Sequence, residues 1–190
     1  MASVYEVSDF KRGLKVEIDG VPWEITDFQH VKPGKGNAFT RTKLRNLITG
    51  ANLEKTYKSG EKFNVPDLMQ KEMQFLYKDE SGFNFMDTTN YEQINLHAEN
   101  VGAAADYLLE NLTIYILFFN GKAIGIDLPN SVVLTIVETD PGVRGNTVSG
   151  GTKPLKLQTG LVINGPLHLS EGDKIKVDTR TNSYIEKMNK

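Results

Sequence analysis

Apolar residues in this chain recur at every second position, in runs too short for helices, and turn residues interrupt them every few steps. A period of two places alternate side chains on opposite faces of an extended backbone, so the pattern constrains the chain to half-buried β-strands. Leu14, Val16 and Ile18 alternate with Lys15, Glu17 and Asp19; after Gly20, Val21, Trp23 and Ile25 alternate with Pro22, Glu24 and Thr26. That is a strand, a tight turn and a strand. The same reading predicts strands over 39–46, 55–58, 73–78, 82–87, 113–119, 122–127, 132–138, 156–158 and 174–178. Turn signals separate them at Asn120-Gly121, Asp140-Pro141-Gly142 and Glu171-Gly172-Asp173. Helix is expected only as a short turn at Ser8–Phe10 and over Tyr91 to about Leu96. Trp23 is expected in a core, and Phe118 and Phe119 are expected to point to opposite faces.

Two joints interrupt this series. One is Phe63–Asp67, where the charge balance changes sign; the other is Asp127–Asn130, where a proline follows a finished hairpin. They divide the chain into 1–65, 66–128 and 129–190, each near the lower size limit for an independent core. The expected fold class is all-β, with three small β-barrel domains in a row.

Charge is distributed unevenly between these thirds. Residues 31–62 carry eight basic and two acidic side chains, whereas residues 63–127 carry three basic and ten acidic ones, although the whole chain is only −2. Such a molecule orients itself in an electric field instead of coating nucleic acid indiscriminately. The chain has no cysteine, which removes disulfides, thiolate metal sites and cysteine nucleophiles. His30, His97 and His168 stand alone, without partners at metal-ligand spacing, so no metal site is expected. No set of nucleophile, base and oxyanion donor converges, which argues against an enzyme. No secretory signal is visible in MASVYEVSDFKRG, and the apolar run 112–119 is too short to span a bilayer. Cytoplasmic residence, no membrane contact and a monomer are the expectations.

The candidate site lies in residues 31–41, VKPGKGNAFTR. Pro33 fixes its own φ and keeps Lys32 extended, while Gly34 and Gly36 allow positive φ on either side of Lys35. With Asn37 they frame a tight tip bearing one long cationic side chain. Lys32, Arg41 and Lys43 in the flanking arms suit a phosphate wall. A phosphate-binding loop of the GxxxxGK[ST] type is excluded, because Gly36 follows Lys35 at once and a strand, not a helix, comes next.

The stretches VKPGKGNAFTRTKLRNLITG and LEKTYKSGEK closely resemble the first-domain loop of the bacterial elongation factor P family. TDPGVRGNT, GGTKPLKLQTG and GPLHLSEGDKIKVDTRTNSY resemble that family's third domain. The resemblance covers essentially the whole chain. It implies a KOW/SH3-like domain followed by two oligonucleotide-binding (OB) barrels in an L-like arrangement. It further implies a non-enzymatic factor that binds the ribosome beside peptidyl-tRNA and relieves stalling at consecutive prolines. The family's loop-tip lysine, here Lys35, is extended by modifying enzymes, usually with a β-lysyl group, and no separate cofactor is implied. Arg144, Arg180 and Tyr184 fall in segments resembling the family's tRNA-facing surface. A paralogue with a narrower client set, or a generic RNA-binding β-barrel protein, is the alternative. The chain departs from the family at Gly102–Ala105, where many members carry Gly-Asp-Asn-Ala. It departs again at Leu155, where a small residue is usual, and at Gly165, where valine is usual; both read as packing positions.

Overall fold

The computed structural model describes residues 4–141 and 151–188. Its strands form one six-stranded and two five-stranded sheets, and its helical segments are short. By contacts the chain groups into two compact units, one of residues 1–70 with 117–125 and one of residues 71–116 with 126–190.

The first sheet contains β1 (Val4–Glu6), β2 (Lys15–Ile18), β3 (Val21–Val31), β4 (Phe39–Asn46), β5 (Asn52–Lys58) and β6 (Lys62–Asn64). Its order is β1-β6-β2-β3-β4-β5. The β2–β3 hairpin pairs Ile18 with Val21. Asp19 and Gly20 both take positive φ, 53° and 74°, the conformation of a two-residue turn whose twist matches the strands. Val16, Ile25 and Leu44 are fully buried beneath the sheet, closed by Phe10, Tyr57 and Phe63. The Tyr57 ring meets Phe63 edge-on at 4.9 Å and Phe10 at 6.2 Å. Trp23 packs against this core from a partly exposed position.

The second sheet contains β7 (Leu68–Asp79), β8 (Gly82–Asp87), β9 (Gln93–Leu96), β10 (Thr113–Phe119) and β11 (Lys122–Asp127), in the order β11-β10-β7-β8-β9. Phe75 lies 5.5 Å from Phe85 and 6.0 Å from Phe83. Phe119 is buried and its neighbour Phe118 only partly so, as their opposite orientations require. The helix expected over Tyr91–Leu96 is instead strand β9. Ile94 pairs with Phe85 and Leu96 with Phe83, so the two apolar residues alternate on a partner strand and need no helical face. The helix α1 comes later, at Ala98–Val101, and runs into a 3₁₀ segment over Gly102–Tyr107.

The third sheet contains β12 (Ser131–Thr139), β13 (Thr152–Leu157), β14 (Val162–Pro166), β15 (Lys174–Asp178) and β16 (Ser183–Lys187), in the order β14-β13-β12-β15-β16. Leu134, Leu155, Leu157, Leu169, Ile175 and Val177 are wholly shielded from solvent. Each such side chain contributes roughly 1.5–3 kcal/mol. Tyr107 joins this cluster from the preceding segment, 2% exposed, and its hydroxyl hydrogen-bonds the Asn182 side chain. Strands β1 and β6 escape the period-two reading because they are three residues long and gain their partners from distant chain, whereas β14 and β16, also missed, close hairpins with β13 and β15.

The two packing departures are one event. A Cβ added at Gly165 would fall well inside van der Waals contact of Leu155 Cδ1 and lie 3.3 Å from Leu169 Cδ1. The Leu155 side chain therefore fills the volume that a residue at 165 would otherwise occupy. Gly165→Val is expected to cost roughly 1–3 kcal/mol by overpacking. Adding Leu155→Ala should recover much of that loss, and denaturant unfolding of both single variants and the pair would measure the coupling.

Tyr57 provides a second test of the interior. Its hydroxyl is buried without a hydrogen-bond partner among the described residues, and burial, helped by Glu61 and Asp19, pushes the phenol up to about 12. An unpaired buried hydroxyl detracts from stability, so Tyr57→Phe should leave thermal stability unchanged or raise it by up to ~1 kcal/mol. A drop of that size would mean the hydroxyl is satisfied.

Candidate functional site

The site is a hairpin arm in the first unit. A register shift between Ile25 and Asp27 bulges β3 at Thr26, whose hydroxyl donates to the Lys43 carbonyl at 3.1 Å. Beyond the bulge β3 and β4 continue as a regular ladder from Asp27↔Lys43 to Val31↔Phe39. Strand β5 pairs with the other edge of β4 over the same rungs, from Lys43↔Glu54 to Phe39↔Lys58. The arm is thus three strands wide, with β4 hydrogen-bonded on both sides.

Residues Lys32–Ala38 close this arm, and Lys32 through Asn37 are exposed. Gly36 takes φ of +109°, which a side-chain-bearing residue rarely adopts, whereas Gly34 does not use the positive region. The Pro33 ring lies 3.8 Å from where a Cβ at Gly36 would stand. Lys35 sits between them, exposed, and no hydrogen bond or ion pair engages it among the described residues. Its amine is a solvated cation on a tip with little steric bulk.

The flanking cations divide by what they already touch. Lys32 is exposed and unpaired within the described chain. The Arg41 guanidinium lies 5.8 Å from the centre of the Phe39 ring and meets no carboxylate. Lys43 is 3.5 Å from Glu54, both side chains well exposed. Arg45 meets Glu24 at 2.5 Å, and Arg12 holds Asp27 at 2.8 Å, pulling that carboxyl below its usual range. Exposed pairs of this kind contribute little to stability and are screened by salt.

The predicted third-domain residues are placed differently. Arg180 is not free: its Nη2 donates to Asp178 Oδ2 at 2.9 Å and its Nε to Oδ1 at 3.3 Å. Tyr184 is half-buried against the third core. Both lie in or beside β16, away from the Lys35 arm in sequence; Arg144 lies outside the described residues. The Gly102–Ala105 segment is the start of the 3₁₀ turn and offers no polar side chain. No group of three or more potential metal ligands occurs among the described residues. No helix there is long and apolar enough to cross a membrane.

Some groups at the arm were not legible in the sequence. His30, read as a lone histidine, places Nδ1 2.7 Å from Thr40 Oγ1 across the ladder and its ring 5.4 Å from Phe28. Ser8 and Ser59 reach the neck of the loop from distant segments, and no local pattern marks them.

Comparison with known proteins assigns the architecture. Residues 6–63 match the elongation factor P KOW-like domain, 68–126 the elongation factor P OB domain, and 132–187 the elongation factor P C-terminal domain. Elongation factor P of Bdellovibrio bacteriovorus is 55% identical over 185 residues, covering 97% of this chain and 98% of that protein. Elongation factor P of Helicobacter hepaticus is 52% identical over 182 residues, covering 96% of this chain and 97% of that protein. Among solved structures, eukaryotic translation initiation factor 5A from Methanococcus jannaschii aligns with a TM-score of 0.54 and 26% identity, over 64% of this chain and 90% of that one. A KOW-like domain followed by OB barrels, with these relatives, defines a translation elongation factor. The chain belongs to the elongation factor P family.

The Asp178 turn gives a test of the third sheet. Asp178 is held at about 2, first by the Arg180 side chain and then by backbone N–H groups of Arg180 and Thr181. A lowered folded-state value means its contribution is present above the ordinary aspartate value of ~3.9 and is lost as pH falls through about 2. In Arg180→Ala the carboxyl should titrate higher, visible by NMR of the Asp178 side chain, and its stabilising contribution should be smaller and fully lost at a higher pH than in the wild type.

Proposed function

We propose that this factor binds the ribosome beside peptidyl-tRNA and sets the Lys35 tip against the aminoacylated end of that tRNA. It thereby promotes peptide-bond formation where consecutive prolines stall it. The observation that carries the proposal is the exposed, unpartnered Lys35 amine at the end of a three-stranded arm. Proline's ring restricts its geometry both as acceptor and as donor, so the stalled reaction suffers from misplacement of the reacting groups. Restraining the substrate addresses that defect directly: proximity and orientation supply up to ~7–11 kcal/mol in favourable cases, of which a few suffice here. Lys35 transfers no proton in this account.

Lys35 is also the acceptor for enzymatic extension with a β-lysyl group. The added residue lengthens the reach of the tip and brings further donors to RNA phosphates and sugars. Lys32 and Arg41 face the same RNA as unpaired cations, and Lys43 joins them by exchanging Glu54 for phosphate. Arg180, held by Asp178, acts at a second contact together with Tyr184, and Arg144 belongs to that contact. Around Gly102–Ala105 only backbone groups are available to a messenger strand. The factor works as a monomer in the cytoplasm, with no cofactor beyond the modification, and its domains are 1–65, 66–128 and 129–190.

Lys35→Ala should keep the fold and melting temperature yet lose rescue of a reporter with consecutive prolines in reconstituted translation, while a proline-poor reporter is unaffected. Normal rescue by this variant would refute the placement of Lys35. Intact mass of the natively produced protein should show one lysyl addition localised to Lys35; an unmodified mass there would remove the extension from the mechanism.

A further inference from the structure

The rungs of the β3–β4 ladder nearest the loop are joined by more than backbone pairing. His30 stands directly opposite Thr40, one rung below Val31↔Phe39, and the loop of residues 32–38 begins just beyond. Its Nδ1 lies 2.7 Å from Thr40 Oγ1. Residues opposite each other share a face of the sheet, so His30, Thr40 and Tyr57, which pairs with Thr40 from β5, all turn toward the core side. Phe39 and Arg41 turn to the other face. Three hydroxyls are buried on the core side of this arm. Those of Thr42 and Tyr57 have no partner among the described residues, whereas Thr40, 2% exposed, has the imidazole. Among the described residues this is the one side chain-to-side chain hydrogen bond that links β3 to β4 beyond the Thr26 bulge. The Phe28 ring meets the imidazole edge-on at 5.4 Å and limits how it can turn. The ring also borders a cleft of about 390 Å³ that takes in Ser8 and Ser59, and Nε2 bonds to nothing among the described residues. A hydroxyl both donates and accepts, so the bond to Thr40 forms in either neutral tautomer of the ring and in its protonated form.

We infer that His30 is a positioning residue for the Lys35 amine: through its bond to Thr40 it fixes the point at which the loop leaves the sheet. Lys35 has no contact of its own among the described residues, so its location is set by the rungs that hold the two ends of the loop. Without the imidazole, Thr40 becomes a third buried hydroxyl lacking a partner, and such a group carries its full desolvation cost. Opening the Val31↔Phe39 and His30↔Thr40 rungs rehydrates it. That opening lengthens the free segment from residues 32–38 to residues 30–40, and the tip then searches a larger volume. Loss of orientation of this kind slows a reaction without removing any reacting group. The role rests on the Lys35 placement proposed above, and it is exerted through Thr40, with no contact between His30 and RNA.

The test uses the full chain with His30→Ala, His30→Asn, Thr40→Val, and His30→Ala combined with Thr40→Val. Asparagine carries a polar atom on Cγ, as the imidazole carries Nδ1, and can keep the bond; the alanine and valine variants cannot. In the free protein, NMR relaxation should show the amides of Val31, Lys35, Gly36 and Phe39 more mobile in His30→Ala and in Thr40→Val, and unchanged in His30→Asn. The rest of the amide spectrum confirms the fold of each variant. In reconstituted translation of consecutive prolines, titrated with factor, both loosened variants should lower the maximal rate by roughly three- to tenfold while the half-saturating factor concentration holds. His30→Asn should restore the rate, and the double variant should be no slower than either single one. A folded His30→Ala with the wild-type maximal rate, or with wild-type relaxation in the loop, would overturn the role, as would His30→Asn as slow as His30→Ala. Thr40→Val at full rate beside a slow His30→Ala would overturn it too, because the imidazole would then act directly on RNA. The relaxation measurement needs no ribosome, so its outcome is distinct from the Lys35→Ala test of proline rescue.

Discussion

The central position of β4 in its ladder is the constraint on which the site depends. Because β4 is hydrogen-bonded to β3 on one side and β5 on the other from Lys43 to Phe39, the arm beyond the Thr26 bulge cannot splay. An isolated two-stranded ribbon is only marginally stable in water, and the third strand turns the ribbon into a sheet. The bulge adds the local twist that such irregularities impose, and it resets the register of everything beyond it. Lys35 is held out by this framework, not by contacts of its own.

The energetics of the site follow from that division of labour. Apolar burial involves Val16, Ile25 and Leu44 below the bulge and Tyr57, opposite Thr40, beyond it, closed by Phe10 and Phe63. The exposed face of the outer arm displays cations, of which Lys43 is held by a weak exposed pair with Glu54. The Lys32–Asn37 tip is exposed and lies apart from the buried residues that support the arm. In the third sheet, by contrast, Arg180 is bound to Asp178 and Tyr184 leans on the core.

The pair Leu155 and Gly165 shows how two positions far apart in the chain share one volume in the core. Read singly, a leucine in place of a small residue and a glycine in place of valine are two unexplained changes. In three dimensions the leucine occupies the glycine's missing side-chain volume. The two side chains are complementary in volume, as a close-packed interior requires.

Much was already determined by the amino-acid order. Strands β4, β8, β10, β11 and β15 coincide with the period-two runs, and in β4, β10 and β15 buried side chains recur at alternate positions. The loop VKPGKGNAFTR was legible because proline and glycine act on the backbone locally, whatever surrounds them. Other features were decided only by tertiary structure. Strand β9 took the place of an expected helix because Phe83 and Phe85 offered a partner edge, and a six-residue stretch carries too little pattern to resist one. The free amine of Lys35, the pairing of Arg180 with Asp178, and the cleft that joins Ser8 and Ser59 to His30 arise between segments far apart in the chain. Local propensity acts over a few neighbouring residues, whereas burial, ion pairing and cavities depend on which distant segments meet, and only the folded chain settles that.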